Sequence, residues 1–366
     1  MTTDLGAMRA WCRQHRPQTA FVASGADLTP RRVVELLPAT VHIVDQAWTV
    51  DDIVQVAETT TLGSVLAIGG GATIDAAKLV AVCARARALR RHLLVPHRSG
   101  VRWIPPTAPR LPLAAVPTTL GTGSEASAGA CALVGGDRRV LFLGPGLRPD
   151  HHVHVPELTA TLPQPLARAG AVEVLFRLLG PLVGSLSPNA GPVLRLSSKL
   201  VAILDRTPAD RPFCRRDRVA VAAISAAAHS LNKLHAVDPV GHKAWYVANE
   251  LSSVTDEAKV PATAAVLPTV WANIAAGDRR WGNRANLVHA CALLGLDVDS
   301  PSALTRRFDA WGITPTRCAG DGIAAIVARR VVRFWGAGLP MMGDFHVDEV
   351  TELVTRSTNV VAEAGT

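Results

Sequence analysis

The 366 residues are 48% apolar and 19% charged, a balance that excludes a disordered or collagen-like chain and leaves length for two domains with separate cores. The net charge of +8 arises from dispersed arginines whose local clusters, at 85–91 and 215–218, lack interleaved aromatics; they read as solvated helix faces, and no nucleic-acid partner is expected. Six scattered cysteines form no C-x-x-C pair, which argues against a disulfide framework or a thiolate zinc site. With no basic-then-apolar leader and no uncharged apolar stretch of about 18 residues, the expectation is a cytoplasmic protein with no membrane association.

From the N-terminus, short apolar runs alternate with helical patterns. Strands are expected at 19–23 and 41–44, and helices at 31–37 and 50–59. A third strand, 65–68, ends at Gly69-Gly70-Gly71 and leads into a helix that carries Asp75 and Lys78. A proline-rich loop over 105–112 precedes a fourth strand at 113–116, and a second glycine loop, Thr118-Thr119-Leu120-Gly121-Thr122-Gly123-Ser124-Glu125, follows it. Turns at 135–137 and 144–146 bracket a hairpin arm. Beyond Pro163 the spacing becomes helical, with helices expected at 166–179, 193–205, 218–231, 243–252 and 262–276, and more towards the end.

The alternation in the first half implies βαβ units, a parallel sheet and a ligand at the carboxyl ends of its strands. The expected fold class is an α/β Rossmann-like dinucleotide-binding domain over 1–163 followed by an all-helical substrate and catalytic domain over 164–366, with a cleft between them. Glycine permits tight turns and close backbone approach, and the open N–H groups of a helix start attract a pyrophosphate. Gly69, Gly70 and Gly71 would supply those donors. Thr118, Thr119, Thr122 and Ser124 carry hydroxyls suited to ribose and phosphate oxygens. The bland alternatives are that Asp75 compensates the helix dipole and Lys78 is a solvated helix residue.

Together the two loops resemble those of the iron-containing (group III) alcohol dehydrogenases and dehydroquinate synthases, where Gly-Gly-Gly-Ser-x-x-Asp-x-x-Lys and Pro-Thr-Thr-x-Gly-Thr-Gly-Ser-Glu bind NAD(P). The second loop matches at every defined position, and the first departs only at Ala72. Residues 147–163 look like that family's domain junction. The resemblance implies a dehydroquinate synthase-like fold, a homodimer, and Asp75 and Lys78 facing the cleft towards cofactor or substrate. NAD-specific members place an aspartate after the first strand, where this chain reads Ser24-Gly25, with Asp27, Arg31 and Arg32 downstream; NAD or NADP is expected, with a lean to NADP.

Most members of the family bind iron or zinc through an aspartate and a histidine one helical turn apart and two later histidines. Matched to that pattern, Ala169-Gly170-Ala171-Val172-Glu173-Val174-Leu175-Phe176-Arg177 puts Val172 and Phe176 on the first two ligand positions. Counting back from the apolar ending at Pro268 puts Lys259 on the last and Ala244 or Trp245 on the other. None of these side chains is a metal ligand, so no metal is expected. The histidines at 151, 152 and 154 and at 229, 235 and 242 read as surface or supporting residues, and Pro239 interrupts the second series.

Oxidation without a metal needs a proton acceptor and a charge that steadies the alkoxide. Glu173, on an otherwise apolar helix, and His242 are the candidates for the first role, and Lys259 for the second. Against these stand an ordinary ion pair between Glu173 and Arg177, packing by His242, and a solvated loop position for Lys259. Lys233, Lys243 and Lys259, three of only five lysines in the chain, fall in this region; Trp245, Tyr246 and Asn249 read as cleft lining.

The expected activity is metal-independent oxidation of a secondary hydroxyl by NAD(P). Residues 170–177 and 241–253 further resemble the dehydrogenases of daptide-type ribosomal peptide pathways, which implies as substrate the C-terminal threonine of a precursor peptide and a peptide-recognition partner protein. Two rivals stand beside it. One is a dehydroquinate synthase-like cyclase, disfavoured because Ala76-Ala77-Lys78 replaces its Gly-Phe ending; the other is a non-catalytic subunit that binds cofactor or peptide.

Overall fold

The computed structural model describes residues 5–25, 35–38, 40–59, 63–95, 98–106, 109–135, 138–186, 190–229, 238, 240–300, 302–318 and 321–359. Most of the helix expected at 31–37, the end of the one expected at 218–231, and Asp27, Arg31, Arg32, Lys233, His235 and Pro239 lie outside the described residues.

In chain order the first half comprises α1 (Leu5–His15), β1 (Thr19–Ala23), β2 (Thr40–Val44), α2 (Val50–Thr59), β3 (Val65–Gly69), α3 (Gly71–Arg85), α4 (Arg87–Leu94), β4 (Val101–Trp103), β5 (Leu113–Pro117), β6 (Gly129–Val134), β7 (Arg138–Leu143) and β8 (His151–His152). Five parallel strands form one sheet in the order β2-β1-β3-β5-β8. Alternation sends successive residues to opposite faces, and both faces of β1, β3 and β5 are buried, whereas the edge strand β2 leaves Val41 and Ile43 exposed. Phe21, Val65, Ala67, Leu113 and Ala115 pack with Ile53 of α2 and Ile74 of α3, while Ala20, Val22, Leu66, Ile68, Ala114 and Val116 pack with Met8 and Trp11 of α1. That two-sided burial explains why these strands are continuous apolar runs.

The hairpin forms as expected from antiparallel β6 and β7, and β4 joins it alongside β7. β4 carries no periodic signal because it is three residues long. Its Arg102 is buried and donates to the carbonyls of His92, Leu93 and Val95, which ties the carboxyl end of α4 to the arm.

The remaining helices are α5 (Gln164–Gly184), α6 (Ala190–Arg206), α7 (Arg215–His229), α8 (Lys243–Thr255), α9 (Lys259–Ala275), α10 (Arg284–Leu294), α11 (Ser302–Ala310), α12 (Asp321–Trp335) and α13 (Val347–Thr358). The chain divides into two units, Met1–Gly170 with Phe213–Ser230, and Ala171–Pro212 with Leu231–Thr366. Helix α7 thus lies beyond the sequence boundary at 163 yet belongs to the α/β unit, because Arg218 reaches the carbonyl of Pro156 and Ser225 reaches that of Gly121.

In the second unit α8 packs on α9 and α12, and α13 on α9 and α12. Buried Glu250 of α8 accepts from Arg330 and Trp335 of α12, at 2.8 Å each. No helix among the described residues is long and apolar enough to cross a membrane.

Candidate functional site

The first glycine loop opens α3. Gly70 caps the helix with extended backbone and offers no side chain to accept from the first-turn N–H groups, an arrangement that favours an anion. The second loop lies directly against it. Thr118 N donates to Gly69 O at 3.0 Å, and a Cβ at Gly70 or Gly71 would stand 3.1 Å from Thr119 or 3.3 Å from Thr122. The loops therefore form one cradle, closed enough that glycine is the residue that fits. Thr119 Oγ1 is buried there with no hydrogen-bond partner, a hydroxyl that a ligand oxygen would satisfy. These features fit a dinucleotide, which Gly69, Gly70, Gly71, Thr118, Thr119 and Thr122 would hold.

Asp75, Lys78 and Ser124 are arranged otherwise than the sequence implied. Lys78 does not face outward; it is fully buried and donates to Ser124 Oγ at 3.0 Å, Ser127 Oγ at 2.9 Å and Gly129 O at 2.7 Å. Asp75 accepts from the Ser124 hydroxyl and from Cys131 N, and lies 3.6 Å from the Lys78 ammonium. Burial pulls the Lys78 pKa below the usual range, opposed by the charges of Asp75 and Glu125. The three side chains are a pin that joins α3 to the second loop and to β6. The bland reading of Lys78 as solvated fails too, because α3 is apolar almost all round and buries every residue from Thr73 to Ala84 except Asp75.

Two residues of α7 complete the first unit's site: His229, expected only as a surface or supporting residue, and Ser225, which the sequence did not single out. Ser225 Oγ donates to Gly121 O, and His229 Nε2 lies 3.2 Å from Thr122 O. Their spacing of four on one helix was the available signal.

In the second unit the positions matched to metal ligands are filled by packing. Val172 and Phe176 are buried, and Phe176 meets Phe308 edge-on at 5.4 Å. Lys259 is the first residue of α9, not a loop residue, and its ammonium stands 5.3 Å from the centre of the Trp245 ring. Among the described residues no three His, Cys, Asp or Glu side chains are grouped to hold a metal. Among the described residues, those at the matched positions do not fit the family's metal.

Glu173 is not the enclosed carboxyl that its apolar helix implied. Its side chain is 30% exposed and paired with Arg177 at 2.9 Å. His242 caps the start of α8, and its ring fills the space over Gly180, where a Cβ would approach it to 2.2 Å. Burial and the charge of Arg177 push the His242 pKa down to about 3, and its Nε2 has no partner. Glu173 and His242 thus share the neighbourhood of one guanidinium. Of the other histidines, His154 is fully buried in the first unit with neither ring nitrogen bonded, and burial lowers its pKa to about 4.

Residues 41–156 match the family model of iron-containing alcohol dehydrogenases. The chain is 36% identical over 110 residues to a 4-hydroxybutyrate dehydrogenase of Cupriavidus necator and 33% identical over 111 residues to an alcohol dehydrogenase of Thermococcus barophilus. These alignments cover 30% of this chain and 28% and 29% of the relatives, so less than a third of either relative is spanned. The fold resemblance is wider. An NADH-dependent butanol dehydrogenase of Thermotoga maritima superposes with a TM-score of 0.74 at 17% identity, over 95% of this chain and 93% of that one. An archaeal alcohol dehydrogenase from a Red Sea brine pool gives 0.77 at 16% identity, over 97% and 95%. The family match thus covers the segment that carries both glycine loops, and the fold of the whole chain resembles that of solved alcohol dehydrogenases.

Proposed function

We propose that the protein is an NAD(P)-dependent alcohol dehydrogenase that oxidises a secondary hydroxyl without the metal usual in its superfamily. One observation carries the reading: the two glycine loops meet in a cradle that keeps a buried threonine hydroxyl unpartnered. The relatives named as dehydrogenases support the reaction class.

A bound nicotinamide supplies the hydride acceptor. The chain's own residues must then remove the hydroxyl proton and steady the oxygen left behind. Glu173 and His242 are the proton acceptors available, His242 being neutral near pH 7 because its pKa lies at about 3. The Lys259 ammonium supplies the positive charge. Ser24 and Gly25, which stand where NAD-specific members carry an aspartate, favour NADP or dual use.

The substrate we favour is a C-terminal threonine of a ribosomal precursor peptide. Its oxidation gives a β-keto acid, which loses CO₂ and takes up a proton to leave an amino ketone. A chain of charge +8 suits an anionic carboxyl terminus. The working form in this proposal is a cytoplasmic homodimer, with a separate peptide-recognition protein.

The test is elemental analysis of the purified protein with NAD⁺ and NADP⁺ titrations, then turnover of a threonine-ending peptide after chelation. Cofactor binding, and a loss from the peptide of two hydrogens plus CO₂ when it is incubated with chelated protein, are expected. Activity that vanishes on chelation and returns with iron or zinc would overturn the metal-free step. Failure to bind either nucleotide would overturn the dehydrogenase reading itself.

A further inference from the structure

The second glycine loop has a weakness that its neighbours must correct. Gly121 and Gly123 both adopt positive φ, +91° and +60°, and glycine in such positions leaves the unfolded loop many alternatives. Two external contacts restrict it. On one side, Gly121 lies against the backbone of Gly170, where a Cβ would come to 2.0 Å of the carbonyl oxygen. On the other, Ser225 bonds Gly121 O, and the His229 ring covers Gly123, where a Cβ would stand 2.1 Å from Cδ2.

A carbonyl oxygen only accepts, so the bond to Thr122 O requires a proton on His229 Nε2. Thr122 is also the residue whose side chain faces Gly71 in the first loop. His229 therefore acts on the residue through which the two loops touch.

We propose that His229 is a positioning residue of the nucleotide cradle: by donating to the Thr122 carbonyl and covering Gly123, with Ser225 behind it, it holds the second loop in the shape that receives the cofactor. The inference rests on the nucleotide-binding reading for its consequence, although the clamp itself can be tested without ligand.

The experiment compares His229→Leu, which cannot donate, with His229→Gln, whose amide nitrogen can stand in for Nε2. Amide hydrogen exchange of residues 118–125 is followed in ligand-free protein, and cofactor affinity, KM and kcat are measured alongside. In His229→Leu the loop amides are expected to exchange about tenfold faster, with cofactor Kd and KM raised about tenfold and kcat nearly unchanged, the scale of one lost hydrogen bond. His229→Gln should return both to within about threefold of wild type. Unchanged loop exchange in His229→Leu would overturn the proposal, as would a Gln variant no better than Leu despite equal thermal stability. If wild-type protein binds neither nucleotide, the dehydrogenase reading fails, and the exchange measurement still decides whether His229 holds the loop.

Discussion

The glycine loops of the nucleotide unit and the candidate catalytic residues of the helical unit treat their polar side chains in opposite ways. Around the glycine loops the polar groups answer to one another: Lys78 meets two serines and a carbonyl, and Asp75 meets a hydroxyl and a backbone N–H. In the second unit, Val172 and Phe176 have become core, and the polar candidates have few obligations. Lys259 lies over an indole, Glu173 makes one half-buried pair, and His242 Nε2 makes no bond. Under the proposed function, then, the polar groups around the glycine loops would carry function and stability together, whereas at Lys259, Glu173 and His242 the two would be separable.

The largest expected effect breaks the first of these. Lys78→Met leaves half-buried Asp75 without its cation and the Gly129 carbonyl without its buried donor, and should cost about 3 kcal/mol or more in urea unfolding, with nucleotide binding lost as well. A cost below about 1 kcal/mol would show that the pin is dispensable. Gly121→Ala should cost ~3 kcal/mol by the same measurement, since it combines a positive φ with a backbone collision.

Acid sharpens the comparison. His154 titrates near 4 when folded against 6.5 ordinarily, so below 6.5 the unfolded chain takes up a proton that the folded chain refuses. Stability is therefore full above 6.5 and falls as pH drops towards 4, by at most ~3 kcal/mol from this group. His154→Leu should flatten that part of the profile, and an unchanged slope would mean that other groups set it.

The smallest stability effects belong to the helical unit. Lys259→Met should cost ~1 kcal/mol through its indole contact, and Glu173→Gln about 0.5 kcal/mol. Under the proposed function, each nonetheless lowers turnover at least tenfold. Equal losses of turnover and stability would erase the contrast between the units.

Much of the architecture was legible because burial on both faces writes itself as apolar runs. The strands at 19–23, 41–44, 65–68 and 113–116, the helix at 50–59 and the hairpin all stand where composition put them, to within a residue. The motifs also identified the residues of the cradle. Side-chain direction is harder to read: the motif implies an outward-facing Lys78, although its helix has almost no open face, and the apolar helix implies an enclosed Glu173, although Arg177 one turn on marks a partly open stripe. The contribution of α7 was illegible for another reason, since Ser225 and His229 meet their loop across more than a hundred residues of chain.

That separation bears on how the protein is made. A ribosome that has released everything through Gly170 has not yet released the helix that closes over Gly121 and Gly123. Since domains fold as units and N-terminal ones first, the nucleotide half must wait for some forty residues of the other half before its last contact can form. A fragment cut at the apparent boundary near 163 would therefore emerge with its sheet complete and its second glycine loop unclamped.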